Sequence, residues 1–176
     1  MYDLERLADL ISRMNQINEE IAALIGRPAL QGHIGEYIAS RVFNIELEDS
    51  ASKKGVDGWF LDGSLRGRTV NIKIYGKREG FLDITLSNLA DYYLVMTGPR
   101  SQPITSKGTV RPIVISNVYL FNMKKLLGEL KKRGVKIGEA TSVSQKYWDE
   151  AEFYPSQTNK ELILNVDQRR YLEYFS

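Results

Sequence analysis

Residues 55–75 read GVDGWFLDGSLRGRTVNIKIY, two apolar stretches joined by a polar, glycine-rich turn. The pattern predicts a β-hairpin with Asp57 on its first strand and Asn71-Ile72-Lys73 on its second. Alternate side chains of a strand share a face, so Asn71 and Lys73 point one way and Val70, Ile72 and Ile74 the other. A turn centred near Ser64-Leu65 puts Asp57 roughly opposite Ile72, to within a residue. Directly opposed residues share a face, so a register one residue over is what brings Asp57 alongside Asn71 and Lys73. In that register a carboxylate, an amide oxygen and an ammonium converge on one patch.

Upstream, Ile34, Ile38 and Val42, widened by Tyr37, form the apolar stripe of a helix from about residue 30 to 43. Glu36 lies in the middle of it and by itself reads as a solvated acid. Gly35, next to it, would permit another backbone to come close. His33 is the only histidine, which excludes metal sites built from histidine pairs. Residues 44–48 alternate as a short strand, and a polar loop with Lys53 and Lys54 leads into the hairpin. At the start, Leu4, Leu7, Ile11, Met14, Asn18, Ile21 and Ile25 recur at alternating steps of three and four, predicting an amphipathic helix over 3–25. That seam suits a dimer interface in which Asn18 sets the register, or a helix packed on its own domain. Three heptads are near the lower limit for a coiled coil, which favours the second. Gly26-Arg27-Pro28 then stops the helix.

Downstream of Tyr75, a turn carries Lys77 and Arg78. The segment 86–90 suggests a short helix capped by Ser87. Asp91 to Met96 is an almost unbroken apolar run, as expected of a strand buried on both faces. A polar loop with Arg100, Lys107 and Arg111 follows, then a strand at 112–116. A helix over 122–133 has Leu126, Leu127 and Leu130 on one side. Its lysines and Arg133 suit either a helix C-terminus or a phosphate-contacting surface. Residues 144–153 read as a further helix, and a final amphipathic stretch runs to Phe175.

The chain of 176 residues is 43% hydrophobic and 26% charged, ordinary values for a globular protein, and long enough for a sizeable core. A formal charge of +2 does not argue for nucleic acid, so any such argument rests on where the basic residues fall. With no cysteine, disulfides and thiolate zinc sites are excluded. No run approaches the roughly 20 apolar residues of a membrane span, and the first residues lack the apolar core of a signal peptide. The expectation is one cytoplasmic domain over 1–176, with a core at about 31–134 and a C-terminal extension at 135–176.

Glu36 in GEYIASRVF, Asp57 in GVDGWF, Lys73 in VNIKIY and the stretch DITLSNLADYYLVM together resemble the PD-(D/E)XK nuclease superfamily, the restriction-endonuclease-like fold. The resemblance spans roughly residues 31–97. It implies an α/β fold with an αβββαβ core, a helix lying between the third and fourth strands. It also implies that Asp57 is the main metal-binding carboxylate, Lys73 the catalytic lysine, and Glu36 an accessory metal ligand or orienting acid. The Ile72 carbonyl would be a further ligand. Asn71 stands where the family has its second acid, so the metal would lose one of its two usual anions. The activity implied is metal-dependent hydrolysis of DNA phosphodiester bonds with Mg²⁺ or Mn²⁺. Lys53, Lys54, Lys77 and Arg78 would flank the site and hold the phosphate backbone. Cleaving both strands would suit a homodimer. Asn71 also suits a second reading, a catalytically weak or inactive domain that binds nucleic acid or a protein partner. In a third, Asp57 and Lys73 form only a surface ion pair on an unrelated α/β domain.

Overall fold

The computed structural model describes residues 2–49, 55–102 and 111–176. Lys53, Lys54 and Lys107 lie outside them. Two helices, α1 (Tyr2–Ile25) and α2 (Gln31–Phe43), precede strands β1 (Ile45–Leu47), β2 (Gly58–Phe60) and β3 (Thr69–Tyr75). A short strand β4 (Phe81–Leu82) is followed by β5 (Tyr92–Thr97), β6 (Asn117–Asn122) and helix α3 (Met123–Lys132). The chain ends with β7 (Thr141–Ser142), α4 (Gln145–Ala151), β8 (Glu152–Tyr154) and α5 (Val166–Glu173). The main sheet is six-stranded in the order β1-β2-β3-β5-β6-β8, and β4 pairs with β7 separately. Only β3 and β5 run parallel, so the sheet is mixed. This is an α/β fold.

Alternation along the strands divides the core into two layers. Val70, Ile72, Ile74, Leu94, Met96 and Leu120 face one way, against Ile38, Val42 and Phe43 of α2 and Leu172 of α5. Tyr93, Val95, Tyr119 and Phe121 face the other, against α3 and α4. Trp148 of α4 meets Tyr119 and Phe121 edge-on, at centroid distances of 4.8 and 5.0 Å. The central strand β5 is buried over its full length, as its apolar run predicts.

Three expectations need correction. No helix forms at 86–90: Asn88 takes a left-handed conformation (φ 55°), which ends any helical turn there. Leu82 and Ile84, two residues apart, are buried in the second layer, the spacing of extended chain. The connection from β3 to β5 is therefore β4 and a loop. The expected strand at 112–116 is irregular, and pairing with β5 begins at Asn117. The Ile115 N–H donates instead to the Phe175 carbonyl (2.8 Å). The helix expected over 144–153 stops at Ala151, and Glu152–Tyr154 adds the strand beside β6.

α1 corrects a fourth. It does not pack on the core: every residue from Tyr2 to Glu20 is exposed, and only Ile21, Ala22 and Ile25 are half-buried. Gly26, in the left-handed region (φ 70°), and Arg27-Pro28 turn the chain sharply before α2, so the two helices meet only near this corner. Among the described residues, no helix is long and apolar enough to cross a membrane.

Candidate functional site

The register of the hairpin decides which side chains meet. Gly58 pairs with Val70 and Trp59 with Thr69, so one step further Asp57 stands across from Asn71. This is the register that puts Asp57, Asn71 and Lys73 on one face. The hydrogen bonds agree, because the Asp57 N–H donates to the Val70 carbonyl (2.9 Å) and the Ile72 N–H donates to Asp57 Oδ2 (2.6 Å). A backbone donor thus fixes the carboxylate at the point where β2 and β3 part. The backbone groups of Val70, Ile72 and Ile74 all turn to this edge of β3, and the Ile74 carbonyl accepts from Gln31 Nε2 (3.1 Å). Two contacts hold the entrance to β2 in place. Glu48 N–H donates to the Asp57 carbonyl (2.8 Å), and Gly55 (φ 99°) lies against the carbonyls of Ser87 and Asn88, which a Cβ would strike.

Asn71 is buried, at 4% exposure, and among the described residues its Oδ1 has no hydrogen-bond partner. An unsatisfied buried acceptor costs about 1–3 kcal/mol, so this oxygen is an expensive feature beside a carboxylate. Lys73, half-buried, holds its ammonium 5.8 Å from the centre of the Tyr93 ring, a cation–π contact that limits where the charge can go. Tyr93 is opposite Asn71 in the parallel pairing of β3 with β5, and its hydroxyl accepts from the Thr85 N–H (3.1 Å).

Glu36 reaches the site from the other layer. Gly35 sits directly on the Ile74 side chain: a Cβ there would lie 2.6 Å from Ile74 Cγ2. The close approach expected at Gly35 is therefore to a side chain of β3, and it sets how near α2 comes to the strand. Glu36 accepts a hydrogen bond and ion pair from Arg27 (2.8 Å), whose second nitrogen donates to the Glu48 carbonyl (3.3 Å).

The electrostatics tie these groups together. Burial pushes the Asp57 carboxyl above its ordinary range, while the Ile72 N–H and the charges of Lys73 and Arg27 pull it down. Burial also raises Glu36, the Asp57 charge raises it further, and Arg27 opposes both. Burial raises the Tyr93 phenol as well, with Asp57 adding to it. Glu36, Asp57 and Lys73 thus lie within reach of one another's charge or a shared partner's. Arg27 and Tyr93 belong to the same group but had no signal in the sequence beyond a helix stop and an aromatic in an apolar run.

The remaining expected contacts are placed differently. Lys77 is half-buried in a cleft of about 440 Å³ beyond the end of β3, with Gln31, Tyr75, Asp83 and Arg111. Arg78 is buried, 5.5 Å from the Trp148 ring and 5.9 Å from Tyr119, and donates to Gln145 Oε1 (3.1 Å). Its guanidinium is packed among the aromatics of the second core layer, with Gln145 as its hydrogen-bond partner. On α3, Lys132 pairs with Glu129 (2.8 Å) and Lys125 approaches Glu150 (3.9 Å).

The donor atoms assembled at the hairpin are all hard oxygens: the Asp57 carboxylate, Asn71 Oδ1 and the Ile72 carbonyl. That chemistry suits Mg²⁺ or Mn²⁺. Among the described residues no three histidines, cysteines or acids gather as a metal-holding group. Asn71 Oδ1 is the one oxygen of this set that is buried and, among the described residues, without a hydrogen-bond partner. Comparison with protein-family models gives no match, and comparison with curated protein sequences gives none either.

Proposed function

We propose that the protein is a metal-dependent nuclease of the PD-(D/E)XK type that hydrolyses DNA phosphodiester bonds. The observation that carries this reading is the hairpin register, which sets Asp57 across from Asn71 on the face shared with Lys73. Support also comes from the order of elements: a helix bearing Glu36, an antiparallel three-stranded meander, and a further strand beside the third. The loop in place of the expected helix before β5 is a departure from that pattern.

In this reading Asp57, the Ile72 carbonyl and Asn71 would hold a divalent cation, which when bound would supply a water of lowered pKa and offset negative charge on the phosphoryl oxygens. Asp57 presents its carboxylate in a fixed orientation because Ile72 N–H anchors one oxygen. Lys73 places a positive charge where the transition state gains negative charge, and Tyr93 keeps that charge from swinging away. Glu36, ion-paired with Arg27 and raised by burial and by Asp57, would add a second negative charge near a bound cation.

Plasmid and linear DNA incubated with Mg²⁺ or Mn²⁺ test the reading, with wild type beside Asp57→Ala and Lys73→Ala. Metal-dependent cleavage lost in both variants is expected; absence of cleavage by wild type sinks the nuclease. The neutral amide of Asn71, standing where the family has its second acid, favours a second reading, a weak or inactive domain that binds nucleic acid or a protein partner. An Asn71→Asp variant that gains cleavage, with wild type showing only salt-dependent DNA binding, selects it.

A further inference from the structure

We propose that α1 is a self-association helix, and that two copies of the chain pair through it side by side in parallel. Seven aliphatic side chains of α1, from Leu4 to Leu24, are 43% exposed or more. Leu7, Leu10, Ile11, Met14 and Ile17 form the middle of this face, and all five are exposed. A helix of 24 residues held only at its last turn lacks the tertiary packing that stabilises most helices, so it needs a partner along its length. At roughly 60–120 Å² per buried side chain, two such faces together cover on the order of 1,000 Å², the lower bound for a specific interface.

The partner's chemistry follows from the sequence of the face. Leu4, Leu7, Ile11, Met14, Asn18, Ile21 and Ile25 alternate at three and four residues, the repeat that keeps one helix in register with another over several turns. Leu10, Ile17 and Leu24 widen that seam along one flank, while Ala8, Asn15 and Ala22 on the opposite flank are small. In a parallel pair the large flank of one helix lies over the small flank of the other. Asn18 settles the direction: in parallel its amide meets Asn18 of the second copy, whereas an antiparallel neighbour would set it against Leu7 or Met14 with nothing to bond. A lipid surface fits poorly, because α1 carries five acids and two arginines, and cytoplasmic membrane surfaces are negative.

The pairing stands whether or not the Asp57 site is catalytic. Light scattering on the full chain at tens of micromolar should give twice the monomer mass. Ile11→Asp with Met14→Asp should halve it, leave near-ultraviolet dichroism and the unfolding of the α/β domain unchanged, and lower helical signal only. A Leu4→Cys variant of this cysteine-free chain should form a disulfide-linked dimer on mild oxidation, since parallel packing sets position 4 beside its counterpart. A monomeric wild type overturns the proposal, as does a double variant that still dimerises. A Leu4→Cys chain that dimerises without crosslinking overturns the parallel arrangement. Co-flotation of wild type with phosphatidylserine–phosphatidylcholine vesicles, lost in the double variant, assigns the face to lipid and overturns it too.

Discussion

Lys73 and Arg78 are five residues apart, one within β3 and one just past its end, and both rest their charge near aromatic rings. Their surroundings differ. Lys73 stays half-buried with its charge felt by Asp57, and two residues before it lies a buried amide oxygen that has no partner among the described residues. Arg78 is enclosed by Trp148, Tyr119 and Gln145, with no carboxylate bonded to it among the described residues. The first environment keeps a cation available to something outside the chain; the second uses the guanidinium as packing, its planar group filling space that apolar carbon would otherwise fill. Basic residues close in sequence are thus not equivalent evidence for phosphate binding.

The contrast breaks if both cations behave alike on mutation. The largest effect is expected from the group Lys73 serves: Asp57→Ala should lower DNA cleavage by about 10³-fold or more in a gel assay, without loss of folded protein. Lys73→Met should follow, at about 10²–10³-fold, because it removes one preorganised charge. Arg78→Ala should do the reverse. It should cost about 2–4 kcal/mol of stability in urea unfolding through lost packing, with cleavage per folded molecule close to wild type. Equal loss of cleavage in the Lys73 and Arg78 variants would erase the distinction.

Smaller effects sharpen it through pH. Asp57 and Glu36 must be ionised to hold a cation, and both titrate above the ordinary carboxylate range, so cleavage should rise with pH through that raised range. Arg27 lowers both groups, so Arg27→Gln should move the rising limb to higher pH. A limb that stays in place argues against an electrostatic role for Arg27. The smallest effect is on stability. The folded-state pKa of Asp57 lies above its unfolded value, so its contribution is unfavourable above the folded pKa and vanishes below the unfolded one. Asp57→Asn should therefore raise Tm at pH 7, with the gain fading as pH falls toward the ordinary aspartate range. A gain unchanged at low pH would place its origin elsewhere.

Much of this arrangement was legible in the sequence because strand alternation is a local signal. Asn71 and Lys73 on one face, and Ile72 and Ile74 on the other, follow from counting by two. The register of Asp57 was legible only to within one residue. The connection contains a short 3₁₀ turn at Gly63–Leu65 with left-handed glycines at 63 and 67, and no tight hairpin turn fixes its length. The helix expected near Ser87 failed for a tertiary reason: the loop lies on Gly55, and Thr85 donates to Tyr93. α1 is the opposite case, since its periodicity was plain but nothing in it said whether the face would meet its own domain. Arg27 could not be found by pattern, because its partner Glu36 lies beyond a sharp corner in the chain.

The protein contains two tryptophans, and they occupy unlike places. Trp148 is at the centre of the second core layer, whereas Trp59 is half-buried on β2, two residues from Asp57 and on the same face. In a Trp148→Phe background the remaining indole is a built-in optical probe. Its emission should respond to cations or DNA arriving at the hairpin, so binding can be followed by titration even where no bond is broken.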